Sequence, residues 1–365
     1  MSRKPKILVT SAGGNTGLPV ALRLRERGFP VRAIVRREDA RAARLRDAGA
    51  EVMIADLYST ADMRRAMQDV QRAYHCAPTA PNGLHFGAVF ASAAREARLE
   101  HVVMMGQWLS SPDHPSVFTR EVWLSEQFMR ALPETVLTVV NPGWFAANYF
   151  MVLHLAAHLG VLPMPLGNGD TKKNAPPSNE AIAAVAANAL TDPATHAGKT
   201  YRPTGPKLLS PNEIAAGIGE GLGRQVRYQD LSQRMFLKAF AANPPGNFSW
   251  LALSQLALYA EEYRRGAFAV NAPTDVVQTV GGLAPEPFEK TAARAAEAMP
   301  GTRASLPNKF AALWGLVKTG ITPKPDLKHI EKIRDVPILA SPAYVGDSQE
   351  WGVTHDPNAI VHSLV

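Results

Sequence analysis

The sequence predicts an α/β fold: a doubly wound, Rossmann-like parallel sheet followed by a smaller and mostly helical region. Two observations predict it. Between residues 7 and 140, short apolar runs alternate with segments whose apolar residues recur at helical spacing, and strands separated by helices imply a parallel sheet. The first run, Ile7–Val9, breaks into a glycine-rich turn that opens into a helical pattern. That order of strand, turn and helix is typical of a dinucleotide-binding unit.

The glycine-rich turn has the composition that a phosphate site requires. A pyrophosphate reaches the first turn of a helix only where the backbone N–H groups are uncovered, which favours residues with small side chains. The spacing Ser11-x-x-Gly14-x-x-Gly17 places serine where a first glycine is usual. A turn without a ligand is the alternative interpretation. The residues predicted to bind the cofactor here are Thr10, Ser11, Gly13, Gly14, Asn15, Thr16 and Gly17.

The second strand, Val31–Val35, indicates which dinucleotide is bound. It ends in Arg36 and Arg37, about 20 residues beyond the glycine turn. An acid at this point binds a ribose 2′-hydroxyl, whereas an arginine accommodates a 2′-phosphate. The prediction is therefore NADP(H), with Arg36 as the main contact and Arg37 as its helper or a solvated neighbour.

Two later strand ends extend the predicted cofactor site. Asp56 and Leu57 follow the strand at 51–55. Asp56 is predicted to accept a hydrogen bond from the adenine amino group, and Leu57 to pack on the adenine ring. A turn or capping role for Asp56 is the alternative. Ala77 and Pro78 follow the strand at 72–76, at the edge of the sheet where the ribose and nicotinamide would pass.

Charge and composition narrow the class of protein. The net charge of +7 arises within residues 1–75, which hold 15 Lys or Arg against 8 Asp or Glu. A nucleotide phosphate would bind there, and no nucleic-acid motif accompanies the charge. We expect a cytoplasmic protein, because neither a secretion signal nor an apolar run long enough to span a bilayer is evident. The single cysteine, Cys76, excludes an internal disulfide and a cysteine-rich zinc site.

Several of these pieces together resemble the NmrA-like group of atypical short-chain dehydrogenase/reductases, over roughly residues 5–300. The resemblance implies an NAD(P)-binding Rossmann-like domain at 1–150 and a substrate-binding cap at 151–300, with an extension of unknown role at 301–365. The matching pieces are the turn at 9–17, Val35-Arg36, Ala55-Asp56-Leu57, the loop at 141–148, the helix start at 178–186 and the segment 211–215.

One departure from the wider short-chain group bears on catalysis. These enzymes commonly use Tyr-x-x-x-Lys to hand a proton to the atom that receives hydride. Placing Glu126 on the group's helix glutamate puts Phe118 and Val122 at the tyrosine and lysine positions. The resemblance then implies either an NADP(H)-dependent oxidoreductase acting on an apolar carbonyl, quinone, imine or conjugated alkene, or a non-catalytic redox sensor that regulates a protein partner.

Other side chains are therefore candidates at the nicotinamide end. Tyr149 and His154 are candidate proton donors. His154 and His158 lie four apart on one helical face, but no carboxylate completes a metal site, so no metal is predicted. A small apolar or aromatic substrate is expected to contact Trp108, Trp144 and Asn148, with core packing as the alternative for the two tryptophans.

The C-terminal extension shows no family pattern. Its apolar segment, Phe310–Val317, is too short to span a bilayer; lying on a membrane surface, packing on a partner chain and covering the substrate cleft are the alternatives. The stretch 331–365 lacks a helical period and is expected to wrap its own domain or a neighbouring subunit. A homodimer formed through this extension is a further expectation.

Overall fold

The computed structural model describes residues 4–244 and 249–355. Within them, a seven-stranded, wholly parallel sheet has the order β3-β2-β1-β4-β5-β6-β8, which confirms the predicted fold class. Its strands are β1 Ile7–Val9, β2 Val31–Val35, β3 Glu51–Ile54, β4 Arg72–His75, β5 His101–Met105, β6 Val136–Val140 and β8 Thr200–Tyr201. A separate parallel pair joins β7 Val161–Met164 to β9 Arg227–Asp230.

Helices cover both faces of the main sheet. One face packs on α1 Gly17–Glu26, α2 Ala40–Asp47 and α8 Asn179–Thr191. The other packs on α3 Thr60–Met67, α4 Gly83–Ala97 and α5 Val117–Arg130. The remaining helices are α6 Ala146–Phe150, α7 Leu153–Leu159, α9 Pro193–His196, α10 Pro211–Leu222, α11 Gln233–Ala242, α12 Trp250–Arg265, α13 Val276–Thr279, α14 Phe288–Ala298, α15 Leu306–Ile321, α16 Leu327–Ile333 and α17 Gln349–His355.

Local capping explains where several helices begin. At the start of α10, the Ser210 hydroxyl accepts from the Glu213 backbone N–H, while the Glu213 carboxylate accepts from the Ser210 N–H at 2.9 Å. Pro211 occupies the first helical position, where its missing N–H costs nothing. The reciprocal pair satisfies two helix-end donors, so this boundary is encoded in four consecutive residues.

The sheet does not end at the predicted boundary at residue 150. Strand β8 pairs with β6, and α8 packs against α1, so both belong to the first domain. The prediction had assigned them to the cap. Helix α8 packs on the sheet because its alanines, Ile182 and Val185 form an almost continuous apolar surface that must be covered.

The described part of the extension wraps its own domain. The buried Glu262 carboxylate on α12 accepts from the backbone N–H groups of Val345 at 2.6 Å and Gly346 at 2.9 Å. His114 Nε2 lies 3.3 Å from the same carboxylate. The sequence predicted no helix beyond residue 331, but the structure has α17 there. This helix packs the Trp351 ring against Trp108.

Candidate functional site

The compact shape of the glycine turn requires glycine at one position in particular, residue 17. Ser11 has a positive φ of 49°, and its carbonyl accepts from the Gly14 N–H at 2.8 Å. A Cβ on Gly17 would lie 2.3 Å from that carbonyl oxygen, whereas a Cβ on Gly13 would meet nothing closer than 3.9 Å. Gly17 is therefore needed for the turn to fold against the start of α1.

Two hydroxyls tie the turn to the end of β4. Thr10 Oγ1 donates to the Tyr74 carbonyl and accepts from the Cys76 N–H, both at 2.9 Å. Ser11 Oγ donates to the Cys76 carbonyl at 2.8 Å. The serine that replaces the usual first glycine thus bridges two strand ends. Cys76 packs beside Thr16, and burial raises the pKa of its thiol.

A cleft of about 620 Å³ opens at the carboxyl edge of the sheet, next to this turn. Ligands bind at this edge in open α/β sheets. Thr10, Gly13 and Gly17 shape the turn, while its other predicted residues reach the cleft. The wall at this end consists of Ser11, Gly14, Asn15, Thr16, Cys76, Ala77, Pro78 and Thr79.

The rest of the cleft wall is mainly apolar and comes from distant parts of the chain. Phe118 and Val122 on α5 line it, at the positions where the tyrosine and lysine of short-chain enzymes were expected. Asn148 is the predicted substrate residue that reaches this wall. The remaining lining residues are Met105, Gly106, Gln107, Pro142, Gly143, Phe145, Ala147, Met151, Asn179, Ser249, Ala252, Gln255, Leu256 and Tyr259.

The two predicted aromatic walls are core residues instead. The Trp108 ring stacks on the Arg202 guanidinium at 3.5 Å, and its Nε1 donates to the Ala267 carbonyl at 2.9 Å. Trp144 is fully buried and packs edge-on against Tyr263 and Phe268. Packing was the alternative for both, and it prevails because each indole lies in the hydrophobic core around α12.

Neither predicted proton donor is placed at the cleft. The Tyr149 hydroxyl is buried, accepts from Asn174 Nδ2 at 3.1 Å and lies 3.4 Å from the Tyr263 hydroxyl. Burial raises the pKa of Tyr149 above its usual range. His154 lies on α7, which packs on α15 rather than on the sheet edge. Burial and the neighbouring His158 lower the pKa of His154.

The structure brings the Tyr259 hydroxyl to the cleft, although the sequence did not single it out as a site residue. It lies on α12 and donates to Gln107 Oε1, which follows β5. Burial raises the pKa of Tyr259 well above its usual range, so the hydroxyl serves as a neutral hydrogen-bond donor. The two residues lie 152 positions apart. The sequence signal was the four-residue spacing of Gln255 and Tyr259, which puts both polar groups on one helical face.

The residues predicted at the adenosine end, Arg36, Arg37, Asp56 and Leu57, are not among those that line the cleft. Arg36 is exposed at the end of β2, close enough to Tyr58 to oppose the rise in pKa that burial gives that phenol. Asp56 Oδ1 accepts from the Tyr58 N–H at 3.0 Å, which is the turn role given as its alternative. Leu57 packs against the sheet core.

Arg41 is a further basic residue beside the glycine turn, and the sequence did not single it out. Its Nη1 donates to the Gly13 carbonyl at 2.9 Å, and its Nη2 donates to Asp39 at 2.7 Å. Asp39 caps α2 and lies 3.7 Å from Arg37 Nε. The cap turns the first residues of α2 toward the glycine turn, so Arg41 joins Arg36 as a candidate phosphate contact.

Two absences among the described residues limit other kinds of site. In residues 4–244 and 249–355, no three or more His, Cys, Asp or Glu side chains are grouped to hold a metal ion. Over the same ranges, no helix is long and apolar enough to cross a membrane.

The fold and the cleft define a doubly wound α/β protein with a glycine-rich turn and a cleft at the carboxyl edge of its sheet. More particularly, the chain belongs to the NmrA-like family, whose model matches residues 3–265. This membership confirms the resemblance drawn from the sequence. Helices α13 to α17 lie outside the match.

Known proteins of this kind include several reductases. The chain is 33% identical over 223 residues to the NAD(P)H azoreductase of Xenophilus azovorans, covering 61% of this chain and 76% of the relative. It superposes with a TM-score of 0.67 on the NADPH-dependent quinone oxidoreductase QOR2 of Escherichia coli, solved with NADPH, at 24% identity over 79% of this chain and 99% of the other. It also resembles NmrA, a negative transcriptional regulator, with a TM-score of 0.64 and 17% identity over 80% and 95% of the two chains.

Proposed function

We propose that the protein is an NADP(H)-dependent reductase that transfers hydride to an apolar or aromatic carbonyl, quinone, azo compound, imine or conjugated alkene. The observation that carries the proposal is the single cleft, which joins a phosphate-binding turn to an apolar wall. A cofactor seated with its pyrophosphate at the turn would direct its nicotinamide toward that wall. The azoreductase and the quinone reductase, both named for conjugated substrates, support this class.

The residues at the turn fit such a cofactor. Gly14 and Gly17 leave no side chain over the first turn of α1, so the dipole of that helix can face a pyrophosphate. Arg36 and Arg41 stand at the adenosine end with no acid at the end of β2, which favours a 2′-phosphate over a 2′-hydroxyl. Bound NADPH supplies the hydride; the chain supplies position and exclusion of water.

At the other end, the protein offers a substrate hydrogen bonds instead of the proton that a Tyr-x-x-x-Lys pair would supply. Phe118 and Val122 cannot transfer a proton, and they make the wall apolar. Gln107 accepts from Tyr259 through Oε1, so its amide N–H groups remain available to a substrate oxygen or nitrogen. This arrangement suits acceptors such as quinones, because the hydroquinone anion that hydride transfer leaves is stable enough to take its proton from solvent.

A second candidate function is a cofactor-binding sensor. The likeness to NmrA and the replacement of the dyad by Phe118 and Val122 favour it. Such a protein would bind the dinucleotide tightly, convert no substrate in the cleft and signal to a protein partner. The apolar substrate wall favours the reductase, because a sensor has no need of it. Cytoplasmic location and homodimer formation remain predictions under either function.

The two functions separate in one experiment. NADPH and NADH are titrated against the purified protein by fluorescence, and NADPH oxidation is then followed across quinones, azo dyes, enones and imines. Tighter binding of NADPH, with turnover of at least one acceptor class, is the expected result. Tight binding without turnover of any class would reject the reductase and retain the sensor.

A further inference from the structure

Helix α15, Leu306–Ile321, is held to the body of the protein along one side only. Ala312 and Thr319 are buried where it packs on α11 and α7. Asn243 Nδ2 at the end of α11 donates to the Gly315 carbonyl at 3.1 Å. These contacts fix one face of α15 and lay the whole helix flat on the surface of the second domain.

The opposite face of α15 is apolar and exposed. At 3.6 residues per turn, its large side chains fall on one continuous stripe that points away from the packed face. A contiguous apolar patch of this kind marks an interaction surface. The side chains of this stripe are between 45% and 84% exposed: Leu306, Phe310, Leu313, Trp314, Leu316, Val317 and Ile321.

The charged residues of α15 and of the chain on either side of it all have the same sign. Residues 298–325 contain no Asp or Glu and carry Arg303, Lys309, Lys318 and Lys324. By helical position, Lys309 and Lys318 lie on opposite sides of the line formed by Phe310 and Val317. Long basic side chains at such margins can keep their ammonium groups in water while their stems lie along apolar surface.

We propose that α15 binds the surface of a membrane rich in anionic lipid, with the apolar stripe immersed at the level of the headgroups. An amphipathic helix with large apolar residues on one face and lysines at its margins is suited to this position. The basic margins would attract the negative surface potential of such a membrane. The helix is about 24 Å long at 1.5 Å per residue, and its other face is already occupied, so it lies on the surface rather than crossing it.

The charge pattern favours lipid over a second copy of the chain. In a symmetric pair, the same patch meets itself, so Lys309 and Lys318 of both copies would face one seam. Residues 298–325 supply no carboxylate to neutralise them. Anionic lipid supplies the opposite charge directly. This proposal rests on α15 alone and does not depend on the reaction in the cleft.

The test is sedimentation of the full-length protein with vesicles. We expect binding to vesicles of equal phosphatidylglycerol and phosphatidylcholine, little binding to phosphatidylcholine alone, and weakening by salt. The double variants Phe310→Ser/Val317→Ser and Lys309→Glu/Lys318→Glu should each bind at least about tenfold more weakly. A blue shift of tryptophan emission on binding should be lost in Trp314→Phe, which keeps its affinity.

Matched controls make the outcome decisive. Phe128→Ser/Val136→Ser removes exposed apolar side chains from α5 and β6 instead, and it should bind vesicles like the original protein. The α15 variants should keep their thermal unfolding midpoint and NADPH affinity. Equal binding to neutral vesicles would overturn the proposal, as would unchanged binding by the α15 variants. A concentration-dependent dimer that Phe310→Ser/Val317→Ser dissolves, without vesicle binding, would assign the stripe to a second copy.

Discussion

The two ends of the cleft are built in opposite ways. The phosphate end is formed by two short runs of the chain, the turn at 11–17 and the residues that follow β4, and Ser11 and Gly17 are in direct contact within the turn. The substrate end is formed by residues far apart in the chain, as Gln107 and Tyr259 show. The phosphate end depends on backbone shape, whereas the substrate end depends on how α5, α12 and the strand ends meet. A family can therefore keep the first end and vary the second.

The largest expected effect is at Gly17. Gly17→Ala places a Cβ against the Ser11 carbonyl and should destabilise the protein by about 3 kcal/mol or abolish NADPH binding. Gly13→Ala is the matched control, because its added methyl meets only ordinary contacts. Denaturation and NADPH titration of both variants measure the difference. Equal behaviour of the two would show that the turn tolerates side chains and that its shape is not what binds the cofactor.

Arg36→Glu tests the adenosine side of the same end. A carboxylate beside a 2′-phosphate replaces a charge-assisted hydrogen bond with repulsion, so NADPH affinity should fall on the order of 10- to 100-fold while NADH affinity changes little. Arg27→Glu makes the same charge change at the exposed far end of α1 and should leave both affinities alone. Equal losses for the two dinucleotides would refute the assignment. A larger effect from Arg41→Glu would move the phosphate contact to Arg41.

His75, on the strand between the two ends, should make stability depend on pH. Its ring stacks on Phe86 with centroids 4.8 Å apart, and burial lowers its pKa to about 3. In the unfolded chain this histidine takes up a proton near pH 6.5. The folded state therefore keeps its full stability above that pH, and protonation of the unfolded chain lowers the free energy of unfolding as the pH falls from 6.5 toward 3. At pH 5 the loss should be about 2 kcal/mol.

Urea unfolding of the original protein and of His75→Phe at pH 7 and pH 5 measures this contribution. The variant keeps an aromatic ring beside Phe86 and removes the titrating group. Between pH 7 and pH 5, the free energy of unfolding of the variant should fall by about 2 kcal/mol less than that of the original protein. Parallel losses in both proteins would show that His75 is not the group responsible.

The smallest expected effect is at the substrate end. Tyr259→Phe removes the hydroxyl that holds Gln107, at a cost of about 1 kcal/mol, or roughly fivefold in kcat/KM for the best acceptor. Tyr263→Phe removes a buried hydroxyl one turn further along α12, next to Tyr149, and should leave kcat/KM unchanged. If both variants lose the same activity, the loss reflects packing of α12 rather than the hydrogen bond in the cleft.

Sequence reasoning succeeded where neighbouring residues act together. The strand and helix order of the first domain, the turn and the membership of the family were all predicted from local pattern. It failed for Trp108, Trp144 and Tyr149, because a large aromatic side chain next to a strand end can face either the cleft or the core. Nothing in the local pattern distinguishes these directions; for these three residues the packing of α12 and the loop at 266–268 decided it.

The sequence by itself determined the parallel sheet, the glycine-rich turn and the basic end of β2, because apolar period, small residues and charge act over a few positions. Only the tertiary structure decided that β8 and α8 complete the first domain, that Tyr259 meets Gln107, and that the stripe on α15 faces outward. The physical reason is the same in each case. These features depend on which buried face finds a partner, and the partner lies far away along the chain.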